Sequence, residues 1–460
     1  MVWRQPQIGC WGLSVTLFLG CGAAPCQTAS GPRLHDLLSA PAIVEARNPP
    51  PQYVGPGSCS ASACHGSIQP RNTTRVLQNE YSTWITADKH AHAYKALTEP
   101  LGKQIGVVLK LGESPEKAQR CLVCHALSVT PNEHAREFDI AEGVSCESCH
   151  GPASQWLEPH IHPDADHRTL VARLHLYDNK DLALRAERCL TCHLGAPGMT
   201  VDHELIAAGH PDLTFELDAF TAVEPPHWVE KGPGGGPADP LFGVKAWAVG
   251  QAVQLQQSML RVSRHAKSGP WPEFSEMDCI VCHHSLTGPA SWRQQAGFDD
   301  HRPGDPAYNL SRYVLFKHFA AEVDPALNGR LATAADHVSA LVTGMSPDRA
   351  AVEAAANRAA ELAGQMVANV RDAAYDNPRT DRLLRSITGD ADAIAFAGER
   401  TAEQATMTVD SLYIAQAKAG SPNPATRQAI DGLFQLVNNP SAYSAPLFAA
   451  QMKKVRSTLR

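Results

Sequence analysis

A chain of 460 residues with 43% hydrophobic side chains is long enough for two or three domains, each with its own core. Its formal net charge of -7 argues against nucleic acid and acidic membrane as partners, so a partner is expected to present a basic face. Thirteen cysteines remain for the composition to explain.

The first 29 residues carry Arg4, an apolar run from Cys10 to Gly20, and then small residues including Ala23, Ala24 and Ala29, the layout of a secretory signal peptide. That run is shorter than the roughly 20 apolar residues that span a bilayer. The expected location is periplasmic or otherwise exported. Leu19-Gly20-Cys21 resembles a lipobox with Phe18 where a smaller aliphatic is usual, so membrane contact is expected only if Cys21 is lipidated. Residues 30–57, with Pro49-Pro50-Pro51 near their end, read as a linker.

Ten of the thirteen cysteines then fall into five boxes, and the other three (Cys10, Cys21, Cys26) lie in the leader. Four boxes are Cys-x-x-Cys-His: Cys121, Cys124, His125; Cys146, Cys149, His150; Cys189, Cys192, His193; and Cys279, Cys282, His283. This is the attachment signature of c-type haem, in which two thiols bond the porphyrin and the histidine binds its iron. In the fifth, at Cys59, Cys64 and His65, four residues rather than two separate the thiols, so the loop must bulge. A small Cys59–Cys64 disulfide is the plain alternative there. Paired boxes also suit zinc, but a histidine directly after every second cysteine favours haem. Five covalent haem c groups are the expected cofactor. The twenty residues between the second and third boxes suggest that those two haems form a close, central pair.

Residues 76–97 read as one helix carrying Trp84, His90 and Tyr94. Ser114-Pro115-Glu116 is a helix-start signal expected to run the chain helically into Cys121, which would put both thiols and His125 on one face. Asp181 is a candidate cap for a helix into Cys189. A break at Gly232–Gly236 precedes a long helix from about Val244 to Lys267. Between the boxes the chain is rich in Pro, Gly and His and has little apolar material of its own, so its core is expected to be porphyrin. Beyond residue 310 an Ala-rich pattern predicts four to six helices, with starts at Ser346-Pro347-Asp348 and Asn423-Pro424 and a stop at Gly389. The fold class is mainly α: a multihaem domain over 58–309 with little strand content, followed by a helical domain over 310–460. That tail is either a structural cap or a docking module.

An iron held by one box histidine has a sixth position, and its occupant decides between electron transfer and chemistry. Candidates are His90, beside Ala91 and Ala93; His160, after Trp156; His203 and His210, seven apart; and His227, in Pro226-His227-Trp228. His284 is expected to point away from the iron of His283.

Several stretches resemble the multihaem cytochromes of the cytochrome c-554 type, a group with hydroxylamine oxidoreductase and the pentahaem nitrite reductases. They are Trp84 to Tyr94, Gly143-Val144-Ser145-Cys146 through Gly151-Pro152, Ala208-Gly209-His210-Pro211 with Phe215-Glu216, Pro226-His227-Trp228, and Trp271-Pro272-Glu273-Phe274 leading to Cys282-His283-His284. The resemblance implies that His90 and His210 are distal ligands and that haems stack in close pairs. The chain departs from it in having a fifth box and in ending every box with His, where the pentahaem reductases bind their active iron through a box ending in Lys. The expected function is electron transfer between redox partner proteins, such as other cytochromes or a quinol-linked membrane complex, through mostly bis-His haems. The alternative is an oxidoreductase acting on a small nitrogen or sulfur compound (nitrite, hydroxylamine or tetrathionate type) at one open iron, with the irregular Cys59 box a candidate.

Overall fold

The regular structure of the computed structural model is helical, with nineteen α-helices among the described residues and β pairing limited to three isolated bridges. The described residues are 49–71, 76–230, 236, 239–279, 282–283, 307–344, 348–420 and 422–459. The leader with Cys10, Cys21 and Cys26, most of the glycine-rich break, His284 and Ser346-Pro347 lie outside them. Met1–Pro49 and Pro50–Arg460 are two units, and the second is compact.

The stretch expected to be one helix over 76–97 is three pieces: α1 (Glu80–Ala87), a 3-10 turn (Lys89–His92) and α2 (Ala93–Thr98). Asp88 causes the break. Its backbone is extended, and its side chain accepts from the His90 N–H, so it stops one helix and caps the next turn. α3 (Pro100–Val108) follows, opened by proline. The start at Ser114-Pro115 yields only a turn. Ala118 is extended, and α4 (Gln119–His125) begins after it.

α5 (Cys146–His150) and α6 (His167–Leu174) are short, and α7 (Leu182–Leu190) is capped by Asp181, which accepts from the Ala183 and Leu184 N–H groups. Up to this point the apolar clusters are small; one, for example, gathers Ala153, Trp156 and Leu170. α8 (His203–Ala207) and α9 (Leu217–Val223) lead to α10 (Phe242–Ser268), where Trp247, Ala248, Val249, Ala252 and Val253 are fully buried.

The tail forms nine helices among the described residues, more than the four to six expected: α11 (Ser311–Val314), α12 (Phe316–Val323), α13 (Pro325–Thr343), α14 (Arg349–Asp372), α15 (Asn377–Gly389), α16 (Ala391–Phe396), α17 (Glu399–Ala419), α18 (Pro424–Val437) and α19 (Ala445–Thr458). The extra breaks come from Asp324 and Asp376, which cap α13 and α15 with proline in the first turn of each, and from Gly398 at φ +103°. One continuous core runs from Leu182 through α10 into the tail as far as Val455. α10 packs against α7, α9, α14 and α17.

Candidate metal centres

Short helices present three of the boxes. α4 and α5 place first thiol, second thiol and histidine at i, i+3 and i+4, hence on one face. The fourth box straddles the end of α7 and a wider π turn over Thr191–Gly195. In the Cys59 box the extra residues are taken up by a turn in which Cys64 N–H donates to the Ala61 carbonyl and His65 N–H to that of Cys59. All ten box cysteines are free thiols, including Cys59 and Cys64.

Backbone contacts between distant motifs place these helices. Trp84 is buried, and its Nε1 donates to the Val144 carbonyl at 3.1 Å. Val144 N–H donates to the His90 carbonyl at 3.0 Å, and Gly143, at φ +71°, lies so close that a Cβ there would meet the His90 carbonyl oxygen at 2.9 Å. Glu147, inside the third box, is 1% exposed and accepts from the N–H groups of Val54, Gly55 and Ala153. The end of the stretch read as a linker is thus fastened to a box. Arg120 on α4 donates to Asp202 and Glu204 around the start of α8, and Glu273 accepts the His203 N–H at 3.0 Å.

Four box histidines each face a histidine from elsewhere in the chain, with the same ring-centroid separation. His65 faces His160, His193 faces His90, His125 faces His210 and His283 faces His203, each at 6.2 Å. The planes of the first pair are 12° apart; those of the second and third stand at 90° and 87°. Two imidazoles bound trans to one metal, each about 2.0–2.1 Å from it through nitrogen, place their centroids about 6.3 Å apart. His203 and His210 therefore face different boxes, as the end of α8 at Ala207 requires.

The protonation of these rings suits the same purpose. Nδ1 lies 2.9 Å from Glu80 in His65, 3.0 Å from Asp88 in His90, 2.9 Å from the Ala93 carbonyl in His125, 2.8 Å from the Pro211 carbonyl in His210 and 2.5 Å from the Leu157 carbonyl in His160. Carboxylates and carbonyls accept, so Nδ1 carries the proton and Nε2 keeps its lone pair for a metal. Burial, with some repulsion from His90, pushes His193 down to about 4. Burial, then His227, His65 and His160, does the same to His150, also to about 4. Both rings are neutral at pH 7, as a ligand must be.

Of the histidines, His227 acts most strongly on His150, and its Nδ1 lies 3.9 Å from Glu224. The thiols that influence one another electrostatically belong to alternate boxes: Cys59 with Cys146, and Cys124 with Cys192. This influence runs from the first box to the third and from the second to the fourth.

Residues 59–151, holding the first three boxes, match the family described as cytochrome c554 and c-prime. Over this stretch the chain is similar to c-type cytochromes of the c554 type. Covalent haem c is the cofactor this family implies, and electron transfer its role. No curated protein and no solved structure matches the chain. The c554 boxes fit the group: free thiol pairs in all three, and an imidazole facing His65 and His125 at the separation one iron needs. Sequence reasoning missed Glu80, Asp88 and Glu147. Asp-x-His at Asp88 was a readable signal, a side chain bonding the backbone two residues on, whereas Glu80 reaches His65 across a turn that no periodicity reveals.

Proposed function

We propose that this protein is an exported pentahaem c-type cytochrome that passes electrons between redox partner proteins. The pairs His65–His160, His125–His210, His150–His227, His193–His90 and His283–His203 would hold the irons of five haems. The observation that carries the reading is the shared 6.2 Å separation in four of the pairs. Haem c supplies a one-electron iron couple, and two imidazoles close its coordination. The chain's part is to hold those imidazoles in fixed tautomers, keep the sites dry and bring neighbouring boxes together. The electrostatic influence of first-box on third-box thiols and of second-box on fourth-box thiols supports two close pairs. Export is supported by the leader pattern and by the chemistry of haem attachment; among the described residues no helix is long and apolar enough to cross a membrane.

The second reading, an oxidoreductase of a small nitrogen or sulfur compound, needs one open iron. Among the described residues His150 is the box histidine with no ring facing it at 6.2 Å, so that iron is where such chemistry would sit. Electron paramagnetic resonance of the oxidised protein decides between the two. Five low-spin irons, unchanged by nitrite or cyanide, are expected. A high-spin signal that responds to either ligand and disappears in H150A would replace the carrier with the enzyme. Mass spectrometry is expected to find five covalent haems.

A further inference from the structure

Within the facing pairs, the five imidazoles whose Nδ1 acceptors are described fall into two kinds. His125, His210 and His160 donate to backbone carbonyls, which are neutral. His65 and His90 donate to carboxylates. Among the described residues these are the two carboxylates within hydrogen-bond reach of a box histidine or of one facing it; Glu224 stands 3.9 Å from His227. Both are anchored. Glu80 Oε1 accepts from the Leu77 and Gln78 N–H groups at 2.8 and 3.1 Å, which leaves Oε2 for His65 at 2.9 Å. Asp88 Oδ1 takes both the His90 backbone N–H and Nδ1, and the Asp88 side chain is 5% exposed. They sit at the two ends of α1, Glu80 as its first residue and Asp88 as its C-cap.

We propose that Glu80 and Asp88 are positioning residues that lower the potentials of two irons, so that each close pair holds one low-potential and one higher-potential haem. This rests on the axial pairing proposed above. An imidazole whose N–H is held by a carboxylate is a more basic ligand, which favours the ferric iron on its other nitrogen. The carboxylates are largely withdrawn from water, where the effect is least screened. Glu80 acts through His65 on the first box, a thiol of which electrostatically influences one of the third; Asp88 acts through His90, which faces His193, on the fourth, a thiol of which influences one of the second. Neither the His125–His210 iron nor the His150–His227 iron has such a carboxylate. One eight-residue helix therefore biases both pairs, and an electron arriving on either pair rests on the member without the carboxylate.

The test is a redox titration of the full haem-loaded chain followed by electron paramagnetic resonance. E80Q and D88N keep an acceptor oxygen and remove the charge. Each is expected to favour reduction of one iron about tenfold, or about 59 mV for a single electron, with all five irons low-spin and the other four potentials unmoved. H160A and H90A identify the irons, since each should turn one low-spin iron high-spin. In the unaltered protein those two irons are expected to be reduced after the other member of their pair. If H160A and H90A leave every iron low-spin, the pairing fails. If they act as expected but E80Q and D88N shift nothing, or the two irons are the first of their pairs to be reduced, the pairing stands and the role of Glu80 and Asp88 is overturned. Should one charge-removing variant fail to accumulate, the other, with the reduction order of the unaltered protein, decides.

Discussion

The Arg261–Glu276 pair joins the box region to the core through single residues. Arg261, on α10, donates from Nε and Nη2 to the two Glu276 oxygens at 2.7 and 2.9 Å and from Nη1 to the Leu194 carbonyl, directly after the fourth box. Both side chains are buried. Burial alone would push the Glu276 carboxyl up; the charge and hydrogen bonds of Arg261, with His265 Nδ1 3.2 Å away, outweigh it and hold the group far below the usual range. A buried pair broken on one side leaves an uncompensated charge, so E276Q is expected to lower unfolding stability by about 3–5 kcal/mol, measured by urea denaturation. Replacing both partners by methionine should cost less than E276Q alone. Because the folded pKa is depressed, the ionised Glu276 contributes fully above its unfolded value of about 4.5 and loses that contribution as pH falls below it. The gap between the native chain and E276Q is therefore expected to be widest at neutral pH and to narrow as the solution is acidified through the carboxylate range.

Among the elements, local signals were legible and distant partnerships were not. Asp181, Asp348 and Asn423 cap the helices their positions announced, and α10 runs within two residues of its expected ends. The box spacing is local chemistry and could be read directly. Which histidine faces which box depends on chain paths such as that from His65 to His160, and the histidine candidates carried no label for that. The helix over 76–97 was misread because the apolar pattern continues through Asp88, while the Asp88 side chain competes for the backbone. α14 shows what a compositional signal does mean: Ala355, Ala356, Ala359, Ala360 and Ala363 are buried along it, and a Cβ at Gly364 would meet Gln256 of α10 at 2.6 Å. Small side chains let α14 lie close to its neighbours. A359L inserts three carbons where the side chain is fully buried, so it is expected to destabilise by about 1–3 kcal/mol through overpacking. Thermal unfolding would show it, while an exposed change on the same helix, such as E361Q, should move the midpoint little.

Across the whole molecule, the chain from Leu182, with the fourth box, and the helical tail share one core, which bears on whether the tail is a docking module or part of the structure. The tail satisfies buried polar groups of the box region: Arg400 donates to the Ser275 and Met277 carbonyls, Gln404 to that of Phe215, and Ser411 to the Glu216 carboxylate. Trp247, in the second turn of α10, donates to Thr408. Removing the tail would strand these groups and expose the α10 side chains that are now fully buried, and large exposed apolar patches drive aggregation. The fourth and fifth boxes depend on that core, because Leu190 and Leu194 belong to it and the Cys279 box directly follows the segment that Arg400 holds. The first three boxes rest instead on small clusters such as Leu97, Leu122 and Ala126. A chain ending at residue 309 is therefore expected to yield little soluble protein, and that fraction should carry fewer than five haems by mass spectrometry. Recovery of a soluble chain with all five haems, and with five low-spin irons, would show that the tail contributes nothing to the sites and would return it to the role of a separable module.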